Sequence, residues 1–268
     1  MRFATWNIKN TGKEHAYRRV QFLSDWPWDI LALQEVSPTA WEIIRNSGLS
    51  ESGIYTFDGF NLTPIGKRPH GVAILARHGY QLGEPRLISN LPKAERALTA
   101  ITKTSDSYVN LISWHAPNAA GEGVEVKMQG YRGILNGLNA LQGPTVMGFD
   151  ANHWNLSIEI DVPFVPSDDN KWLLENQFFG SNGLHTLRDA YLDYLKHNPR
   201  EYAEIVKMRP IGPLAVSYIR GSTMNPVEDR FDYIFVSPDI NVINCTYEYS
   251  KAKEAGSDHG IVFADLIL

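Results

Sequence analysis

Residues 2–36 read RFATWNIKNTGKEHAYRRVQFLSDWPWDILALQEV, and this stretch decides the fold class. Its two ends, RFATWNI at 2–8 and DILALQEV at 29–36, are dense in aliphatic residues and run into polar ones, as strands do. Between them Tyr17, Val20, Phe22 and Leu23 fall at roughly helical spacing until Pro27 ends the pattern. Strand, helix and strand within about 35 residues predict an α/β unit whose strands are parallel neighbours. Pro38 then suits the opening of a further helix.

Working outward, GVAILA (71–76), ALTAIT (97–102) and YVNLISWH (108–115) read as short strands separated by Gly, Pro, Asn and Asp turns. Residues 122–141 read as a helix that covers a sheet with Val126, Met128, Tyr131, Leu135, Leu138 and Leu141. PTVMGFDAN (144–152) is strand and then loop. Residues 153–229 differ, with helices expected near 168–178 and 186–197 and a Pro- and Gly-marked segment after them. They read as long substrate-facing connections on one face of the sheet. Strands return at 230–237, 240–249 and 260–267. Without a repeat or a clear linker, residues 1–268 are expected to form one domain.

The composition, 43% hydrophobic and 21% charged over 268 residues, is that of a globular chain. No apolar run reaches the roughly 20 residues of a spanning helix. The start, MRFATWNIKN, lacks the apolar core and cleavage site of a signal peptide, so a cytoplasmic protein is expected. Cys245 is the single cysteine, which excludes an intrachain disulfide and a multi-thiolate metal site. The formal charge of -5 counts against avid non-specific duplex binding.

Strongly polar groups sit where the strands end or begin: Asn7, Glu35, His115, Asp150 with Asn152, Asp232, and Asp258 with His259. In an open sheet, ligands collect outside the carboxyl ends of strands. Glu35 and Asp258 are hard oxygen ligands suited to Mg²⁺, with the Asn7 amide as a helper. Histidines supply proton donors or acceptors near neutrality, and carboxylates orient them or position water. Each group also has a structural reading. Asn7 can bond backbone, Glu35 cap a helix, His115 sit satisfied in a core, and Asp150 and Asn152 stabilise a turn. Asp232 can pair with Arg230, Asp258 cap a turn and His259 bond a carbonyl.

TWNIK, LQEV, SWHAPN (113–118), GFDAN (148–152), DRFDYIFVS (229–237) and GSDHGIVFADL (256–266), in this order, resemble the endonuclease/exonuclease/phosphatase family, also called DNase I-like. The resemblance implies a four-layer α/β sandwich, two packed mixed β-sheets flanked by helices. It makes Glu35 the principal metal ligand, with Asn7 and Asp258 contributing to the metal and phosphate site. It implies that Asp150 and Asn152 position the attacking water and phosphate, that His259 faces the phosphate, and that Asp232 orients His259. His115 takes the place of another phosphate-facing proton donor, and Arg96 resembles a phosphate-contacting arginine. Of the two family assignments for the base that activates water, Asp150 is favoured over His259, and nothing suggests a covalent intermediate. Two departures stand out. The usual G-D-F-N order appears as Gly148-Phe149-Asp150-Ala151-Asn152, which leaves the local turn open. Lys9 stands where some DNA-repair relatives carry a metal-associated aspartate, either contacting substrate phosphate or projecting into solvent.

The expected function is a Mg²⁺-dependent phosphodiesterase, with Mn²⁺ as a substitute, that acts like a nuclease on DNA, RNA or a short oligonucleotide by direct water attack. The alternatives are a phosphatase or phosphodiesterase for an inositol phosphate, nucleotide or lipid head group, and a non-catalytic binding protein.

Overall fold

The first two strands, β1 (Arg2–Asn7) and β2 (Ile30–Val36), pair in parallel across α1 (Lys13–Ser24), as the 2–36 stretch predicts. The protein is described here by a computed structural model that covers residues 1–10, 12–64, 68–104, 107–153, 173–179 and 184–268. After β2, Ser37 caps α2 (Pro38–Asn46) by accepting the Ala40 N–H, with Pro38 in the first turn. β3 (Ser52–Tyr55) and β4 (Gly71–Ala76) follow, then β5 (Leu82–Leu87), β6 (Ala97–Lys103) and β7 (Tyr108–His115). The helix expected over 122–141 is two helices, α3 (Ala119–Glu122) and α4 (Val124–Ala140). They meet at Gly123, whose φ of 92° leaves helical space.

β8 (Thr145–Asp150) and α5 (Leu173–Phe179) come next. The N-terminal half of the helix expected near 168–178 lies outside the described residues. The second expected helix opens later than 186: β9 (Arg188–Asp189) precedes α6 (Ala190–His197), because Asp189 accepts the Tyr191 and Leu192 N–H groups as its cap. Pro199 opens a further helix, α7 (Pro199–Met208), and a hairpin follows, β10 (Tyr218–Ser222) with β11 (Asn225–Asp229). The chain closes with β12 (Asp232–Val236), β13 (Asn241–Glu248), α8 (Tyr249–Glu254) and β14 (Ile261–Ile267).

Two six-stranded mixed sheets result, in the orders β13-β14-β1-β2-β4-β3 and β5-β6-β7-β8-β12-β9. They pack face to face, and strand alternation divides the side chains cleanly. Phe3, Ile30, Ala32, Leu111, Val146 and Ile234 fill the space between the sheets. Ala4, Trp6, Leu31 and Leu33 face outward under α1, α2 and α8. Trp114, Phe149 and Tyr233 face outward under α4 and α5, around Tyr131 and Phe178. These are the four layers implied by the family resemblance. Among the described residues no helix is long and apolar enough to cross a membrane.

Gly148 sets how closely the sheets approach. A Cβ there would lie 2.7 Å from Thr5 Cβ and 2.8 Å from a Phe3 ring carbon, so a side chain would force β1 and β8 apart. The displaced glycine of GFDAN therefore serves a strand contact rather than a turn.

Candidate active site

Along the inner faces the side chains turn from apolar to polar in one direction. β1 runs Phe3, Thr5, Asn7; β7 runs Leu111, Ser113, His115; β8 runs Val146, Gly148, Asp150. β7 and β8 are parallel, with His115 opposite Asp150, and β12 is antiparallel to β8, with Asp232 opposite Asp150. Asp258 and His259 precede their strand rather than end it. Because β14 is antiparallel to β1, they still arrive at the same end.

Glu35 reaches this end by breaking the alternation. Strict alternation would send it outward with Leu31 and Leu33. Its φ of 54° and a register shift between Leu33 and Val36 in the β2–β4 ladder turn it inward. Lys9 (φ 52°) and Asn152 (φ 46°) share this left-handed backbone, a concentration of strain typical of functional sites.

The groups then bind one another. Asn7 Nδ2 donates to Asp150 Oδ2 at 2.8 Å and to Glu35 Oε1 at 3.2 Å. The Asn152 N–H donates to Asp150 Oδ1 at 2.8 Å, and the Asn10 N–H to Glu35 Oε2 at 3.0 Å. His259 Nδ1 meets Asp232 Oδ2 at 2.8 Å, and its Nε2 stands 3.9 Å from Asp150 Oδ2. Asp232 thus pairs with His259 and not with Arg230, whose guanidinium goes to Asp189 and Tyr247.

Asp150, Asp232 and His259 form a buried cluster with ligand atoms within 4.8 Å. Its chemistry is that of an imidazolium between two carboxylates. Burial alone would push the His259 imidazole down, but Asp232 and Asp150 outweigh it and raise it to about 10. Burial pushes the Asp150 carboxyl up to about 7, against His259, which lowers it, and with Asp232, which raises it further. For Glu35, burial acts upward, yet the Asn10 N–H and the charges of His70 and His259 prevail and hold it below its ordinary value.

Glu35, Asn152, Asp258, His259 and Lys9 line an open cleft of about 310 Å³. Asp150, Asp232 and Asn7 are buried beside it. His115 is buried as well. The Asn152 Nδ2 is fixed by donating to the Ala116 carbonyl at 2.8 Å, so His115 Nε2, 3.2 Å away, accepts from it. Burial, with Arg96 and two histidines nearby, keeps the His115 ring well below its ordinary pKa, hence neutral. Arg96 does not line the cleft. Its two terminal nitrogens donate to Glu122 at 2.8 and 3.0 Å, and Nη2 stands 3.3 Å from His70 Nε2.

Sequence reasoning passed over several residues here. His70 and Arg68 line the cleft from the segment before β4, and Asn118 and Phe231 do so from segments quoted for other residues. Tyr218 and Ser217 come from the 153–229 connection. The buried Ser217 Oγ accepts the Phe231 and Asp232 N–H groups, while its carbonyl accepts the Gly260 N–H at 2.6 Å. It clamps the two strands that present Asp232 and His259.

A search of curated protein sequences finds no match. Among solved structures, Danio rerio (D. rerio) TDP2 complexed with a single-strand DNA product has a TM-score of 0.68 at 13% identity, covering 100% of this chain and 99% of that one. The Xenopus laevis APE2 catalytic domain has a TM-score of 0.67 at 16% identity, covering 99% and 91%. An endonuclease/exonuclease/phosphatase from Bacteroides vulgatus has a TM-score of 0.66 at 19% identity, covering 100% and 98%. The model of the Endonuclease/Exonuclease/phosphatase family matches residues 4–259, which span every polar side chain of the cleft described above, and the chain belongs to that family.

Proposed function

We propose that this protein is a divalent-metal-dependent phosphodiesterase that cleaves single-stranded nucleic acid or a short oligonucleotide by direct attack of water on phosphorus. The observation that carries the reading is the buried array in which His259 Nδ1 meets Asp232 at 2.8 Å and its Nε2 stands 3.9 Å from Asp150, which accepts from Asn7 at 2.8 Å. Burial pushes that carboxyl up to about 7, while the two carboxylates push the imidazole up. A carboxylate of that basicity takes a proton from water near neutral pH. An imidazolium held positive by Asp232 stabilises the charge that develops on phosphate oxygen. Asn7 and the Asn152 N–H fix the Asp150 carboxylate, and neutral His115 orients the Asn152 amide. Arg96, held by Glu122, acts on the phosphate through His70, while Lys9 adds a charge on the cleft wall. As water adds to phosphorus, its proton passes to Asp150, the bond to the leaving oxygen breaks, and that oxygen takes up a proton from solvent, to which Asp150 then returns its own.

The residues fit a hard cation. Glu35 is held ionised, its oxygens accept only N–H groups, and no Lys or Arg nitrogen among the described residues lies within 4.0 Å of it. Glu35 would hold the ion. Mg²⁺ or Mn²⁺ bound there supplies Lewis-acid neutralisation of the phosphate charge. Support for the substrate class comes from the cleft wall beside His259, where Tyr218 and Phe231 stack at 4.9 Å with an 11° angle between rings. Such a face suits an unpaired base and offers little to an inositol ring. The fold shared with a TDP2 that was crystallised with a single-strand DNA product agrees with this choice. The connection that carries Tyr218 would belong to the same catalytic domain and face the substrate.

Turnover of single-stranded DNA, duplex DNA, RNA and inositol phosphates with Mg²⁺ or Mn²⁺ tests the reading, with Asp150→Asn and His259→Ala as controls. Cleavage of single-stranded polymers, lost on chelation and in both variants, is expected. Hydrolysis of inositol phosphates alone, or full activity after exhaustive chelation, overturns it.

A further inference from the structure

The oxygen groups that could meet a metal are in unequal states. The Asn7 amide is engaged at both ends: Nδ2 donates to Glu35 and Asp150, and Oδ1 accepts the Lys9 N–H at 2.9 Å. Glu35 is an anion bonded only by N–H groups. Asp258 instead carries an ammonium, with Lys9 Nζ 2.9 Å from its Oδ2. All three charged groups line one cleft.

Lys9 is held where it can do this. Its left-handed backbone, with φ of 52°, is pinned by the bond to Asn7 Oδ1, and the next residue, Asn10, gives its N–H to Glu35. Residues 9 and 10 therefore wrap the carboxylates. The ammonium competes for Asp258 as a tethered group, at an effective concentration that a dissolved ion does not have. A second cation stands nearby. Arg19 is buried with Nη2 on the Gly256 carbonyl at 2.8 Å; burial lowers its guanidinium to about 10 against the opposing pull of Asp258 and Glu35. Asp258 is thus compensated from within the chain, and Glu35 has no partner cation at bonding distance among the described residues.

We propose that Lys9 is the resident cation of Asp258, so that the protein takes one divalent ion on the Glu35 side and keeps Asp258 out of the ion's coordination shell. The proposal rests on the metal-dependent reading above and deepens it. An oxygen ligand at position 9 would leave Asp258 free for metal; a lysine there closes that option and leaves a fixed positive charge on the cleft wall.

Mn²⁺ titration of the intact protein, followed by electron paramagnetic resonance and calorimetry, measures ion number and Kd without reference to activity. Wild type is expected to bind one ion, and Asp258→Asn to change its Kd by less than about fivefold, since the lost partner is an exposed ion pair. Lys9→Met, which keeps the stem and removes the charge, is expected to take a second ion or to tighten the first by at least about fivefold. That gain should vanish in Lys9→Met/Asp258→Asn and be absent from Lys9→Arg. A larger loss in Asp258→Asn, two ions in wild type, or no change in Lys9→Met overturns the proposal. Should wild type bind no ion, the metal-dependent reading and the one-ion count both fail; Lys9→Met then decides only whether Lys9 blocks Asp258, since an ion gained supports that block and none refutes it.

Discussion

Replacing Asp232 by Asn keeps the shape of the side chain that holds His259 and removes its charge. The imidazole titrates at about 10 against an ordinary 6.5, a preference for the charged form worth about 5 kcal/mol. Asp232 supplies the larger part, through a 2.8 Å hydrogen bond and its charge, while Asp150 is 3.9 Å away. Loss of one close opposite charge should lower His259 by about 1–3 pH units. Asp232 also raises Asp150, so Asp150 falls as well. Wild-type kcat/KM should rise with pH through about 7, as Asp150 loses its proton, and fall through about 10, as His259 loses its own. In Asp232→Asn both limbs should move to lower pH, and NMR titration of the His259 ring should show the same displacement. His259→Ala should abolish the alkaline limb, and adding Asp232→Asn to it should cost little more, since the two act as a unit. A folded Asp232→Asn protein whose profile is lower but unmoved would refute the reasoning and leave Asp232 a structural residue.

Three further outcomes follow from the same geometry. Asp150 has its pKa raised on folding, so its contribution to stability is full below about 3.8 and is lost as pH rises through about 7; in chelator, Asp150→Asn should melt above wild type at pH 8 and no higher than wild type near pH 4, as calorimetry would show. Gly148→Ala should destabilise by about 1–3 kcal/mol through overpacking and weaken turnover by parting Asn7 from Asp150, read from denaturant unfolding and kcat together. Glu35→Gln should fold normally and lose Mn²⁺ affinity by at least about tenfold in a binding titration; unchanged affinity would place the ion elsewhere.

What the sequence revealed follows what the physics makes local. The strands at 71–76 and 108–115 were readable to the residue because GVAILA is an unbroken apolar run and YVNLISWH is an apolar-rich one, each bounded by polar groups. β5 was not read, since LGEPRL is a polar edge strand containing Pro85. The gathering of Asn7, Glu35, Asp150, Asp232 and His259 was legible from their places at strand ends. How Glu35 gets there was not, because alternation points it the wrong way and only a left-handed residue reverses it. His70, Ser217 and Tyr218 lie in segments without periodicity and acquire meaning only through what the fold sets beside them. The sequence left Asp232 a structural alternative, a local pair with Arg230, beside its pairing with His259; the structure brings it to His259 and spends Arg230 on Asp189 and Tyr247, out of the site.

The close contact at Gly148 links the fold to the chemistry. With no side chain between β1 and β8, the two sheets approach until Asn7, on one, reaches Asp150, on the other, at 2.8 Å. That approach buries Asp150, and burial is the largest cause of its raised pKa. A carboxylate at a more open edge would be a weaker base at neutral pH. The same closure brings His259 from one sheet against Asp232 and Asp150 on the other, so the imidazole gains two anionic neighbours. Ser217 then ties the backbones of Asp232 and Gly260 together, holding the pair across the gap between the sheets. A carboxyl pushed up beside an imidazole pushed up is therefore a property of the sandwich itself, because neither sheet alone contains both members of the pair and the anions that tune them.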